Sequence, residues 1–119
     1  MKIKKNKVID LKKKGKILKF YYGNEKFLKK IKEVYFSEVP HDINKDWKFH
    51  ENRNQIMTVI KGEILFQYKK KKNDKPKKIK LSFRNNPLKI YIPKKTFYTF
   101  SCISKTNALI ANIIDENVT

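Results

Sequence analysis

The feature that most constrains this chain is a run of four short apolar stretches in its C-terminal part. "IKLSF", "LKIYIP", "FYTFSCI" and "ALIANII" follow one another, separated by "RNNP", "PKKT" and "SKTN". The stretches are rich in β-branched and aromatic residues, and the separators are turn-formers. Such spacing leaves no room for a helix of useful length and reads as short antiparallel strands. Further upstream, "GKILKFYY" reads as a turn leading into a strand. "IKEVYFSEVP" is a β-rich segment halted by Pro40. "NQIMTVIKGEILFQY" reads as a hairpin with antiparallel arms joined at Lys61-Gly62, where Gly supplies a positive φ. One stretch, "NEKFLKKIK" (24–32), has Phe27, Leu28 and Ile31 at helical spacing. The lysine-rich "KKKKNDKPKK" (69–78) has no apolar residue and reads as a solvent loop. The expectation is an all-β sandwich or barrel of about eight or more short strands.

At 119 residues the chain suits a single domain spanning 1–119. Its 39% hydrophobic and 13% aromatic content is enough to offset the chain entropy that keeps apolar-poor sequences unfolded. No apolar run approaches the ~20 residues of a membrane span, and the N-terminal "MKIKKNKVIDLKKKGK" lacks the apolar block of a secretory signal. The expectation is a soluble, cytoplasmic protein with no membrane partner. Cys102 is alone, without a second thiol for a disulfide or a zinc site, and reads as core filling. The formal charge of +19 points towards polyanions, but Arg occurs only at Arg53 and Arg84. Nucleic-acid readers favour the bidentate arginine fork, so the lysines read as a solvated face. A nucleic-acid binder is therefore the lesser reading, with "KFYYGNEKF" its one positive feature. A small anionic ligand still benefits from the field.

Scarce residue types crowd into "DWKFHENRNQIMTVIKGEILF" (46–66), which holds the only Trp, one of two His, one of two Arg and one of three Gly. Together with "IKEVYFSEVP", "NNPLKIYIPKKTFYTF" and "NALIANIIDEN", it resembles the nucleotide-sugar isomerase branch of the cupins. That branch comprises dTDP-4-dehydrorhamnose 3,5-epimerases and sugar 3,4-ketoisomerases. The resemblance covers about residues 10 to 116 and rests most on W-x-x-H at Trp47 to His50, followed by Asn54-Gln55. It implies a small cupin, a jelly-roll-like β-barrel with its active site in the mouth. The chain departs from the pattern in five respects. Lys94-Lys95 replace a usual Pro-Gly, and Tyr98 stands where a His is common. Lys48 and His50 replace the ketoisomerases' paired His. The epimerases' Tyr near 114–116 and their C-terminal segment are missing.

The resemblance implies epimerisation or tautomerisation of a dTDP-4-keto-6-deoxy sugar through an enolate, in polysaccharide precursor synthesis. A 4-keto group acidifies the neighbouring C–H bonds, so one base and one acid suffice, with no cofactor and no metal. His50 is the candidate base, because an imidazole pKa near 6.5 lies close to working pH. Asp46, Asp42 and Asp115 are all open as the carboxylate that orients it. Tyr98 and Tyr35 are both open as the acid. Lys45, Lys48 and Arg53 suit the diphosphate; Gln55 suits a sugar oxygen; and Trp47 is open as ligand contact or packing. His41, after Pro40, reads as a turn residue. Relatives pair through sheet edges, which implies a homodimer. A cupin that has lost catalysis and binds a nucleotide-sugar is the alternative.

Overall fold

In this computed structural model, residues 1–22, 25–43 and 45–116 are described. The strands in chain order are β1 (Lys2–Lys5), β2 (Lys7–Asp10), β3 (Lys16–Lys19), β4 (Glu33–Val39), β5 (Lys48–Phe49), β6 (Gln55–Lys61), β7 (Glu63–Lys69), β8 (Lys77–Ser82), β9 (Leu88–Ile92), β10 (Phe97–Cys102) and β11 (Ala108–Ile114). They form a five-stranded sheet in the order β1-β9-β6-β11-β4, a four-stranded sheet in the order β5-β10-β7-β8, and a ribbon of β2 and β3. Every strand pairing is antiparallel. This is the all-β architecture that the strand spacing implied, and the jelly-roll-like barrel that the family resemblance implied.

The two larger sheets face each other across one core. Met57, Val59, Ile90, Ile92 and Ile110 come from the first sheet; Ile64, Phe66, Leu81, Tyr98 and Phe100 come from the second. Each large side chain buried here contributes roughly 1.5–3 kcal/mol. Because strand side chains alternate, the other face of the five-stranded sheet presents Ile56, Tyr91 and Ile113. Phe20, Tyr21, Phe27 and Leu28 cover that face. Burial on both sides explains why "QIMTVI" shows no polar alternation.

The covering segment corrects the helical reading of 24–32. Asn24 lies outside the described residues, and 25–32 contain no helix. Phe27 instead meets Tyr91 edge-on at 5.2 Å. Lys89, 3% exposed, donates to the Phe20 carbonyl at 2.9 Å and to Glu25 Oε1 at 3.1 Å, and Tyr91 Oη donates to the same Glu25 oxygen. Docking to a sheet face thus overrides a weak helical pattern.

Lys61-Gly62 does not close a hairpin. Both edges of β6 are taken, by β9 and β11, while β7 pairs with β8 and β10. Gly62 is instead the corner at which the chain passes from one sheet to the other. Its φ is +77°, and a Cβ there would lie 2.8 Å from Ser104 Oγ and 2.9 Å from Ala108 Cα. A positive φ suits a corner as well as a tight turn, so the residue type was informative and the pairing was not.

Candidate active site

At the end of the barrel where β4 and β6 begin and β11 ends, a cavity of about 580 Å³ opens between the sheets. Strand alternation decides what lines it. On β4, Glu33, Tyr35 and Ser37 face inward, while Val34 (57% exposed) and Phe36 (63%) face outward. Asn112 and Ile110 come from β11, Gln55 from the first position of β6, and Tyr98 and Phe100 from β10. Lys48, opposite Tyr98 in the β5–β10 register, lies with its ammonium 5.0 Å from the centre of the Phe100 ring. His50 and Arg53 come from the loop between β5 and β6.

That loop is tied down at both ends. Lys95 N–H donates to the His50 carbonyl at 2.7 Å, and Lys94 N–H to Asn54 Oδ1 at 2.9 Å. Asn54 in turn donates to both oxygens of Asp115, from its backbone at 2.8 Å and from Nδ2 at 3.0 Å. Lys95 has φ +64°. The turn therefore keeps the left-handed backbone that glycine adopts freely, at a cost of roughly 1–2 kcal/mol for a side-chain-bearing residue.

Four side chains form one chain of contacts. Arg53 Nη1 donates to His50 Nε2 at 3.2 Å, and Tyr98 Oη lies 3.2 Å from the same nitrogen. Tyr98 Oη donates to Gln55 Oε1 at 3.2 Å, and Gln55 Nε2 donates to Asn112 Oδ1 at 2.6 Å. A guanidinium only donates, so its contact turns the Nε2 lone pair towards Arg53 and assigns the imidazole proton to Nδ1. Burial, then Arg53, then Lys48 lower the His50 pKa from 6.5 to about 4. This corrects the expectation of a base titrating near working pH: the ring is neutral there, held so first by burial and then by the cations around it. Burial raises the Tyr98 pKa far above the ordinary phenol value, reinforced by Tyr35 and opposed by Arg53. Tyr35 is also raised, chiefly by burial. Lys48 is lowered by burial, Lys45 and Arg53, in that order. The result is a neutral imidazole beside a protonated phenol, with cations at hand.

Of the residues singled out in the sequence, His50, Tyr98, Tyr35, Lys48, Arg53 and Gln55 meet at this cavity. Trp47, Asp46 and Lys45 do not line it. Trp47 is 40% exposed, with the Lys69 ammonium 4.3 Å from its ring centre. Asp46 is exposed. The Lys45 carbonyl accepts from Thr99 Oγ1 at 2.7 Å. Asp115 is engaged with Asn54 and Asp42 with His41, so the carboxylate that lines the cavity is Glu33. Glu33, Ser37 and Asn112 escaped the sequence reading. The available signal for Asn112 was one amide in the otherwise apolar "ALIANII". Among the described residues, no three His, Cys, Asp or Glu side chains converge as a metal site requires.

No protein-family model and no curated protein sequence matches this chain. Solved structures do. A dTDP sugar isomerase from Desulfovibrio desulfuricans G20 superposes with a TM-score of 0.86 at 24% identity, over 99% of this chain and 78% of that one. The WlaRB TDP-quinovose 3,4-ketoisomerase from Campylobacter jejuni gives 0.78 at 20% identity, over 99% and 86%. The QdtA sugar 3,4-ketoisomerase from Thermoanaerobacterium thermosaccharolyticum, solved in complex with TDP, gives 0.75 at 20% identity, over 99% and 82%. These likenesses establish the fold as that of a small cupin-like barrel.

Proposed function

We propose that this chain is a nucleotide-sugar isomerase of the 3,4-ketoisomerase kind, acting on a dTDP-4-keto-6-deoxy sugar. The observation that carries the reading is the neutral His50 Nε2 facing the protonated Tyr98 hydroxyl in an open cavity. Superposition on proteins named 3,4-ketoisomerases supports it.

In this reading His50 Nε2 removes the hydrogen on C3, next to the carbonyl. The C–H electron pair becomes the C3–C4 double bond, and the C4 oxygen takes the charge and then a proton from Tyr98. The proton held on His50 Nε2 is delivered to C4 and the O3 proton passes to the Tyr98 oxygen, which leaves the carbonyl on C3 and both groups as they began. Arg53 and Lys48 serve twice: they add to burial in holding the imidazole unprotonated, and they meet the diphosphate or the developing oxyanion. A bound diphosphate offsets their charge and strengthens the base once substrate is in place.

The test is incubation with TDP-4-keto-6-deoxyglucose in deuterated water, followed by NMR. Deuterium entering at C3 or C4 while the carbonyl migrates is expected, and His50→Gln should slow it by about 10²–10⁴-fold. Label confined to C3 and C5 without carbonyl migration marks a 3,5-epimerase instead. Absence of any exchange by the wild type, or equal exchange by His50→Gln, refutes the reading.

We place a second copy of the chain on the edge of β4. This strand ends the five-stranded sheet, and its outward Val34 and Phe36 are more than half exposed. Sedimentation should give a dimer mass, and Phe36→Lys should reduce it. A monomer at micromolar concentration refutes the assignment.

A further inference from the structure

We infer that Asn112 is a positioning residue that sets the direction of a hydrogen-bond relay running from Tyr98 through Gln55, so that the Tyr98 proton is held off the His50 lone pair. The inference rests on the isomerase reading for its consequence, and on geometry alone for the relay.

The Tyr98 hydroxyl has one proton and two acceptors at the same distance, His50 Nε2 and Gln55 Oε1, each 3.2 Å away. Which one receives it decides whether the base is engaged. Two groups outside the pair settle the matter. At one end, Arg53 Nη1 already points a hydrogen at Nε2, which has a single in-plane lone pair. At the other end, Gln55 can accept from Tyr98 only while its amide presents Oε1 to the phenol. That orientation turns Nε2 of Gln55 the opposite way, and there it meets Asn112 Oδ1 at 2.6 Å, the shortest link of the series. Asn112 thus supplies the terminal acceptor, and the donors run in one sense from Tyr98 through Gln55 to Asn112.

The position is otherwise a poor one for an amide. Asn112 sits on β11 between Ala111 and Ile113, is 1% exposed, and faces the same interior as Ile110 and Ile114. Its Nδ2 is buried, with no acceptor among the described residues. A buried donor left unpaired opposes folding, so a residue kept only for packing would be apolar here. What distinguishes Asn112 is the oxygen that faces Gln55. With that oxygen gone, the Gln55 amide is free to invert and donate to the Tyr98 oxygen. The phenol proton then turns to His50 Nε2 as a second donor beside Arg53, so the lone pair that must reach the substrate C–H stays covered even when Arg53 turns to the diphosphate.

The experiment compares Asn112→Asp, which keeps an oxygen towards Gln55 and has no N–H to offer, with Asn112→Leu, which keeps the volume and removes the acceptor. Steady-state kinetics on TDP-4-keto-6-deoxyglucose and the ¹⁵N resonances of His50 are both recorded. Asn112→Leu should lower kcat by about tenfold, the size of one misdirected hydrogen bond, with KM little changed. Asn112→Asp should stay within about threefold of the wild type, on the same scale. The Nε2 resonance should move in Asn112→Leu and stay in place in Asn112→Asp. If Asn112→Leu does not fold, Asn112→Ser, too short to reach Gln55, takes its place. Equal losses in the Asp and Leu variants, or an unmoved Nε2 resonance in Asn112→Leu, overturn the relay. A wild type that turns over no keto sugar while the resonances behave as stated leaves the relay standing and removes the isomerase reading, so the two failures are distinguishable.

Discussion

The acidity of His50 gives the sharpest quantitative prediction. If the proposed reaction runs through His50 as base, kcat/KM follows the fraction of His50 that is neutral in the free protein. With a pKa of about 4, that fraction is about nine-tenths at pH 5. An ordinary imidazole with a pKa of 6.5 would be about 3% neutral there, costing about thirtyfold relative to the plateau. The expected profile is therefore flat from pH 7.5 down to 5, with its acid limb centred near pH 4. Arg53→Gln should move that limb to higher pH, because one of the cations opposing protonation is gone. It should remain below 6.5, since burial is the larger cause. The same shift couples to folding. The unfolded chain takes up the His50 proton below about pH 6.5, whereas the folded chain resists until about 4, so acid erodes stability across that window. Circular dichroism at each pH must accompany the kinetics so that unfolding is not read as titration. A wild-type limb centred near 6.5, or an Arg53→Gln limb that stays put or moves to lower pH, refutes the electrostatic account of this site.

Two further perturbations address the scaffold. Gly62→Ala combines a left-handed backbone with a Cβ pressed against Ser104 and Ala108. It should cost about 3 kcal/mol and lower Tm by about 10 °C in a thermal melt, and a fall under about 2 °C contradicts the corner assignment. Lys89→Met leaves Glu25 without its ion-pair partner under the segment that covers the sheet. It should cost about 3 kcal/mol, and Lys89→Met with Glu25→Leu should recover most of it; a double variant no better than the single refutes the coupling.

Strand positions were readable because turn-forming clusters bound apolar runs of strand length, as in 79–114, and because Pro40 ends β4 where it must. Sheet membership was not readable in the same way. Glycine with a positive φ serves a hairpin and a sheet-to-sheet corner alike, and what decides at Gly62 is that β11, some fifty residues later, takes the edge of β6 that a hairpin would need. The site was half legible for a related reason. His50, Arg53 and Gln55 lie close together in sequence, so local spacing marks them, and Tyr98 was reached through the family pattern around it. Glu33, Ser37 and Asn112 arrive on strands far from that motif and are selected by register alone. Conversely, Asp46 and Trp47 sit within the motif but on positions of the chain that turn away from the cavity. Proximity in sequence overstated their part.

Asn54 joins three pieces of chain that carry the cavity: the loop holding His50, the turn at Lys94 and the end of β11 at Asp115. Those pieces consequently behave as one inheritable unit. Transplanting the His50 loop alone into another barrel, or trimming the Lys94 turn alone, would carry the imidazole out of alignment with Tyr98. Any exchange of parts that preserves activity has to bring the matching amide and carboxylate along with it.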